Sequence, residues 1–232
     1  MGDIYRGVVQ AVHLILGGDP ELLRVTFLTL QVTGFALVFS TLVGVPLGSL
    51  MGLKRFFGRR LVIALLYTGM GFPPVVVGLF VYLMLSRVGP FGFLSWLFTP
   101  KAMIVSQVII SFPLVAGFTM AAVMGVDPNL RQQVLSLGAT DWQATLTILR
   151  EARIGVIVSI IAGFGSIISE VGSVMLVGGN IQGSTRVLTT AIVLETRKGN
   201  FDLAIALGIV VLSLSFLANQ IMLRLQGRTF ND

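Results

Sequence analysis

The sequence predicts an all-α polytopic membrane protein with about five transmembrane helices and one further interfacial helix at the N-terminus. Of its 232 residues, 55% are hydrophobic and only 11% are charged, whereas ordinary soluble domains carry about 25% charged residues. The apolar residues form five long runs, and about 20 such residues are needed for a helix to cross a hydrocarbon core of about 30 Å. Basic residues lie at the ends of these runs, where they suit an anionic membrane surface rather than nucleic acid.

The five apolar runs are the predicted spans. They cover residues 25–53, 61–86, 102–126, 154–185 and 203–223. The fourth run contains a single ionisable residue, Glu170. The first eighteen residues are short and interrupted by Arg6, so we expect an interfacial helix there, with a sixth span as the alternative. The whole chain, 1–232, is interpreted as one transmembrane domain in the cell (inner) membrane.

The orientation follows from the loop "KRFFGRR" at 54–60. Short loops rich in Lys and Arg stay on the cytoplasmic side of a membrane. The remaining basic residues divide almost evenly between the two sides, so the orientation depends on this loop. It predicts an N-terminus outside and a C-terminus in the cytoplasm.

Proline and glycine interrupt the second run, in "GMGFPPVVVG" at 69–78. Backbone groups freed by such residues must be satisfied by neighbouring helices or by a water-lined cavity. The interruption therefore predicts either a kink that shapes packing or a bend that widens a central path.

A polar, helix-patterned segment at 127–153 separates the third and fourth runs, and the predicted topology places it in the cytoplasm. Leu130, Val134 and Leu137 recur at helical spacing, with polar residues on the opposite face. Gly138 is expected to end this first helix.

A second short helix is expected to follow, with Thr140 or Asp141 as its N-cap. Its exposed apolar residues would include Trp142 and Leu146. A tryptophan on such a loop either folds back onto the bundle of its own chain or is buried by a partner, and composition does not decide between the two.

The stretch "VLSLGATDWQATLTILREAR" resembles the conserved cytoplasmic loop of ABC importer permeases, because Gly138 and Ile148 have the spacing of that family's pattern. The match is partial: other residues replace the family's Glu-Ala-Ala and Leu-Pro, namely Gln132, Gln133, Val134, Arg150 and Glu151. The resemblance implies that a short helix in this loop seats in a separate ATPase subunit. The docking residues implied are Leu137, Gly138, Ala139, Thr140, Asp141 and Trp142.

A second stretch, "SEVGSVMLVGGNIQGSTRVLTTAI" at 169–192, resembles molybdate, tungstate and sulfate permeases and is most similar to the tungstate branch. The resemblance implies a type I ABC importer permease fold and the import of an oxyanion. The implied partners are two ABC ATPase subunits, an extracytoplasmic oxyanion-binding protein and membrane lipid. A homodimer is expected, because two copies about a two-fold axis enclose a path that five helices alone do not.

Four residues of this stretch are candidates for the translocation pathway or its gate: Glu170, Gly172, Asn180 and Arg186. A carboxylate inside a span needs a partner, so Glu170 either pairs with Arg186 or a backbone amide, or lies at a gate. Asn180 either belongs to a tight turn or lines the external mouth. Arg186 either forms a salt bridge or attracts a dianion through the N–H donors of its planar guanidinium group.

No enzyme activity is expected from this chain. It lacks the phosphate-binding loop Gly-x-x-x-x-Gly-Lys-Ser/Thr, so ATP hydrolysis must occur on a partner. With no cysteine and one histidine, no metal or other cofactor is predicted, and no catalytic residue is assigned. The alternatives are a molybdate or sulfate permease, an ion-coupled secondary transporter, or a membrane-anchored assembly protein.

Overall fold

The structure, a computed structural model, describes residues 2–54 and 56–225, which are helical with short connections and contain no strand. A short 3₁₀ helix, Gly92–Leu94, precedes α5. In chain order the α-helices are α1 (Gly2–Gly17), α2 (Pro20–Leu53), α3 (Arg59–Met70), α4 (Pro74–Leu85), α5 (Pro100–Met124), α6 (Pro128–Ser136), α7 (Asp141–Glu151), α8 (Arg153–Ile168), α9 (Gly172–Gly178), α10 (Leu188–Arg197) and α11 (Phe201–Leu225).

The predicted fold class is confirmed. Among the described residues, α2, α5 and α11 are long and apolar enough to cross a membrane by themselves. Two bent pairs, α3 with α4 and α7 with α8, raise the number of candidate spans to five if each pair counts as one.

Two of the predicted spans are not continuous helices. The run at 61–86 is broken at Gly71–Pro73, where α3 and α4 meet at 103°, because proline lacks the amide proton that would continue the helix. The prediction of one span over 154–185 is wrong: α8 ends at Ile168, α9 ends at Gly178, and an irregular loop follows. Gly179 accounts for the end of α9, since its φ of +73° is a left-handed conformation that favours glycine.

Helix α5 is the centre of the bundle and packs against α2, α3, α4, α8 and α9. The α2–α5 contact is very close because α2 presents small residues at every fourth position. A Cβ on Gly44 would lie 3.0 Å from Val115 Cγ1, and one on Gly48 would overlap the Ala116 carbonyl oxygen. Such small residues allow helix backbones to approach in membranes. The small residues are Ala36, Ser40, Gly44, Gly48 and Gly52.

Hydroxyl groups join the helices around α5 in its buried interior. Ser40 and Ser111 share a hydrogen bond of 2.5 Å between their hydroxyl oxygens. The Ser106 hydroxyl donates to Ser173 in α9 over 3.1 Å, and the hydroxyls of Thr119 and Ser159 lie 2.9 Å apart between α5 and α8. Hydrogen bonds of this kind stabilise helix association where no water competes.

The predicted N-terminal helix is present as α1. Its 16 residues are fewer than the about 20 needed to span a bilayer, and it packs along α11, with Arg6 Nε 3.7 Å from the Asp202 carboxylate. Tyr5, Val8 and Val12 are exposed on its outer side. Its interfacial position stays a prediction.

The bundle has two distinct ends, which α2 connects. Leu53, at one end of α2, packs near Val123, Ile148 and Ala152, where α5 ends and α7 meets α8. Glu21, in the first turn of α2, lies beside the loop that follows α9. At 1.5 Å per residue these two ends are about 48 Å apart, which exceeds a hydrocarbon core of about 30 Å. We call the end near Leu53 the hairpin end and the opposite end, near Glu21, the outer end, a name that refers only to its distance from the hairpin.

Candidate functional site

At the hairpin end, α6 and α7 form a helical hairpin over residues 127–151. Gly138 lies between the helices with φ of +88°, a conformation that favours glycine. The predicted cap is confirmed at Thr140: its Oγ1 accepts from the Gln143 amide at 3.3 Å, and its own amide donates to Gln143 Oε1 at 2.8 Å. This reciprocal capping box fixes where α7 begins.

The six residues expected to form a docking helix are a turn and the beginning of a helix instead. Residues 137–140 connect the helices, and only Asp141 and Trp142 belong to α7. The turn is held by the Arg131 guanidinium, whose Nη2 lies 2.5 Å from Asp141 Oδ1.

The apolar side chains at this turn have no cover within the described part of the chain. Leu137 is 87% exposed and Trp142 is 69% exposed. Of the two alternatives for the tryptophan, folding back onto its own bundle is not observed among the described residues. Leu146, expected to be exposed as well, is half-buried.

Helix α7 is anchored at its other end. Ile148 is 4% exposed and packs with Val123 of α5 and with Ala152. At Ala152 the chain bends by 65° into α8, which is joined to α5 through Ser159 and Thr119. Helix α7 is therefore connected to the centre of the bundle by buried packing at Ile148 and by the hydrogen bond between α8 and α5.

Glu170 is hydrogen-bonded within the bundle. It is buried between α8 and α9, where its Oε1 accepts a hydrogen bond of 2.9 Å from the Ser173 amide. Its backbone carbonyl accepts from the Thr189 hydroxyl at 3.0 Å. Gly172 lets α4 approach, since a Cβ there would lie 2.6 Å from Val75 Cγ2. Of the predicted partners, the backbone amide is confirmed and Arg186 is not.

Asn180 belongs to a tight turn between α9 and α10, with φ of +50°. Its amide donates to the Thr190 carbonyl at 3.4 Å, while its Oδ1 is buried without a hydrogen-bond partner among residues 2–54 and 56–225. Thr185, a residue of the 169–192 stretch for which no role was predicted, organises this turn: its hydroxyl donates to the Gly178 carbonyl at 2.5 Å and accepts from the Ile181 backbone amide at 3.0 Å.

Arg186 lies at the outer end beside the first turn of α2. Its Nη1 is 3.6 Å from Glu21 Oε1, which also accepts a hydrogen bond of 2.7 Å from the Gln182 side-chain Nε2. A salt bridge is thus formed, but with Glu21 rather than Glu170. No local pattern could predict this pair, because its two members lie far apart in the sequence.

Cavities of about 350 Å³ and 270 Å³ flank Arg186. Glu195 lines the larger one, where Lys198 Nζ donates to it at 2.8 Å and Asn200 at 3.1 Å. The hydrogen bond from Lys198 is the main reason that the pKa of Glu195 lies below its ordinary value.

The predicted site residues therefore fall into three groups. Asn180 and Arg186 share the outer end, Glu170 precedes α9 and Gly172 begins it, and the docking residues lie at the opposite end of α2. No single pocket brings the three groups together in the described chain.

The chain is similar to known transport proteins. The family described as "Binding-protein-dependent transport system inner membrane component" matches residues 44–231. A "Probable anion ABC transporter permease protein" of Haloferax volcanii is 43% identical over 90% of this chain and 92% of its own length. The "Tungstate uptake system permease protein TupB" of Peptoclostridium acidaminophilum is 39% identical over 96% of this chain and 98% of its own.

Among solved structures, a chain of a bacterial alginate ABC transporter, crystallised with an alginate pentasaccharide-bound periplasmic protein, is similar with a TM-score of 0.70. It is 26% identical, and the match covers 92% of this chain and 83% of that one. Together with the several helices that are long and apolar enough to span a membrane, these matches identify a multi-pass membrane protein. The chain belongs to the family of inner membrane components of binding-protein-dependent transport systems, the permeases of ABC importers.

Proposed function

We propose that this chain is the transmembrane permease subunit of an ATP-driven ABC importer for a tetrahedral oxyanion, with tungstate as its cargo. It is not itself an enzyme, and it couples to two ABC ATPase subunits through the hairpin of α6 and α7. A separate oxyanion-binding protein delivers the cargo at the outer end. The N-terminus lies outside and the C-terminus in the cytoplasm.

The observation that carries this proposal is the uncovered pair Leu137 and Trp142 on an otherwise ordered hairpin. Exposed aromatic residues on a rigid support are typical anchors of protein interfaces. The capping box at Thr140 and the buried Ile148 hold the hairpin in shape before any partner arrives, so little ordering entropy is lost on docking.

The proposed coupling follows from the anchoring of α7. When the ATPases close on ATP, they push the exposed turn, and the movement passes through the bend at Ala152 into α8 and α5. Two copies of the chain about a two-fold axis would then rock between inward and outward access around a shared path.

The docking role is tested by Trp142→Glu and Gly138→Glu in the permease coexpressed with its ATPase. Truncating a central aromatic anchor typically costs at least about 2 kcal/mol, roughly a 30-fold loss of affinity. We expect the ATPase to be lost on copurification, and uptake with it. The matched control is Phe57→Glu, which places the same charge on an exposed aromatic at the hairpin end but outside the hairpin. Unchanged copurification of both hairpin variants would refute the docking role.

The cargo is proposed from the similarity to a tungstate uptake permease, at 39% identity over nearly the whole chain. Competition is the direct test: uptake of labelled tungstate by the complete transporter is measured with excess molybdate or sulfate. We expect uptake of labelled tungstate to persist in the presence of excess molybdate or sulfate. Preference for molybdate or sulfate would reassign the cargo and leave the ABC permease role intact.

A further inference from the structure

The smaller outer-end cavity, of about 270 Å³, is lined by a surplus of positive charge. Arg24, Gln182 and Arg186 contribute side chains to its wall, as does Glu21. The cavity is large compared with one water molecule, whose share of liquid volume is about 30 Å³. It therefore has room for a small anion with part of its hydration shell.

Both guanidinium groups have spare donors. Arg24 is exposed and has no ion pair or hydrogen bond within the described part of the chain. The Arg24 Nη1 lies next to Gly183, at 3.6 Å from the position that a Cβ on this glycine would occupy. The guanidinium therefore directly faces the loop between α9 and α10. The Arg186 side chain is only 15% exposed, its Nε is buried without a partner among the described residues, and its ion pair with Glu21 is long, at 3.6 Å. Charge-assisted hydrogen bonds normally measure about 2.7–2.9 Å.

The other charged groups near these cavities are already engaged. The Asp19 carboxylate accepts from the Leu22 amide at 2.8 Å, as the cap of α2. Glu195 is held by Lys198. Asp19 and Glu195 line the larger cavity, whereas the charged side chains that line the smaller one are Arg24, Arg186 and Glu21, which together carry a net positive charge.

The Glu21 carboxylate occupies the place that an anion would take. Its Oε1 accepts from Gln182 and faces Arg186, yet its side chain is 58% exposed, so it can swing into solvent at little cost in packing. An arginine fork suits the oxygen atoms of a tetrahedral oxyanion.

We infer that the side chains of Arg24, Gln182 and Arg186 form an outer anion site, which binds a tetrahedral oxyanion dianion when the Glu21 carboxylate is displaced. This inference rests on the proposed function as an oxyanion permease. Glu21 acts as an internal competitor, which keeps the site weak enough to release its cargo inward, as transport requires. The site would receive the anion as it leaves the binding protein.

The test measures tungstate bound at equilibrium to the permease–ATPase complex in lipid nanodiscs, without the binding protein. Removing a charged hydrogen-bond donor should weaken binding by about tenfold or more, so we expect that loss for Arg24→Gln. Arg24 is exposed and unpartnered among the described residues, so the variant should fold. Glu21→Gln should bind tungstate more tightly than the wild type, whereas a merely structural salt bridge predicts no gain.

The matched control is Arg197→Gln, which removes the same charge from an exposed position at the outer end; its affinity should stay within about twofold of the wild type. Equal affinities of Arg24→Gln and Arg197→Gln, or no gain in Glu21→Gln, would overturn the outer anion site. Uptake by the wild-type transporter separates the two proposals. If the wild type imports tungstate while the Glu21 and Arg24 variants bind normally, only the anion site fails; if it imports no oxyanion, the proposed function itself fails.

Discussion

The close contact of α2 with α5 makes a sharp prediction for Gly48→Ala. The added Cβ would overlap the Ala116 carbonyl oxygen and lie 3.0 Å from Thr119 Cβ, where ordinary carbon contacts are about 3.5–4.0 Å. A backbone carbonyl cannot rotate away, so the helices must separate by about 0.5–1 Å. A gap of that size forfeits about a quarter to a half of each affected contact.

Overpacking of this kind costs about 1–3 kcal/mol. For a chain of this length, 1 kcal/mol corresponds to about 2–4 °C in Tm, so the expected fall is about 2–12 °C. The assay is thermal unfolding of the purified permease in one detergent.

Gly34→Ala is the matched control, because the same substitution on the same helix meets no atom within 4 Å. It should raise stability by roughly 0.5–1 kcal/mol, since alanine is the better helix former. If Gly48→Ala is as stable as Gly34→Ala, the small-residue contact between α2 and α5 does not exist as described.

Three further predictions concern single side chains. Thr140→Ala should cost about 0.5–2 kcal/mol of stability by removing the cap of α7, which is measured as faster amide hydrogen exchange at the beginning of that helix. The control is Thr145→Ala, which removes a hydroxyl that bonds only within the helix and should leave exchange there unchanged. Glu170→Gln should keep an acceptor for the Ser173 backbone amide and retain transport. Glu170→Leu removes that acceptor and should lose about 1–3 kcal/mol of stability. If the Gln variant folds normally but does not transport, the charge of Glu170 has a gating role instead. Because the folded-state pKa of Glu195 lies below its ordinary value of 4.5, its stabilising contribution is present above that pH and is lost as pH falls through the folded-state pKa. The difference in Tm between wild type and Glu195→Gln should therefore shrink on acidification, and a constant difference would contradict the ion pair.

Much of the fold could be predicted from the sequence. The apolar runs mark the principal helices, and the hairpin at 127–151 follows from Gly138 and the capping residue Thr140, because both signals are local. The spacing of Ala36, Ser40, Gly44, Gly48 and Gly52 also carried a readable signal for close helix packing, which the count of apolar residues overlooked.

The remainder depends on contacts between distant parts of the chain. Hydropathy alone could not show that 154–185 breaks into two helices, since the broken segment is as apolar as a continuous span. The pairing of Arg186 with Glu21 joins residues from α2 and from the loop before α10. Such a pair becomes visible only when the bundle places both at the outer end.

The central claim is that the α6–α7 hairpin faces the cytoplasm, within reach of an ATPase, while the loop after α9 faces outward. The chain contains no cysteine, so single cysteines can be labelled in it without background. With a membrane-impermeant maleimide, Ser184→Cys should react in intact cells, and Trp142→Cys should react only after the membrane is permeabilised. Labelling of position 142 in intact cells, with position 184 protected, would contradict the account.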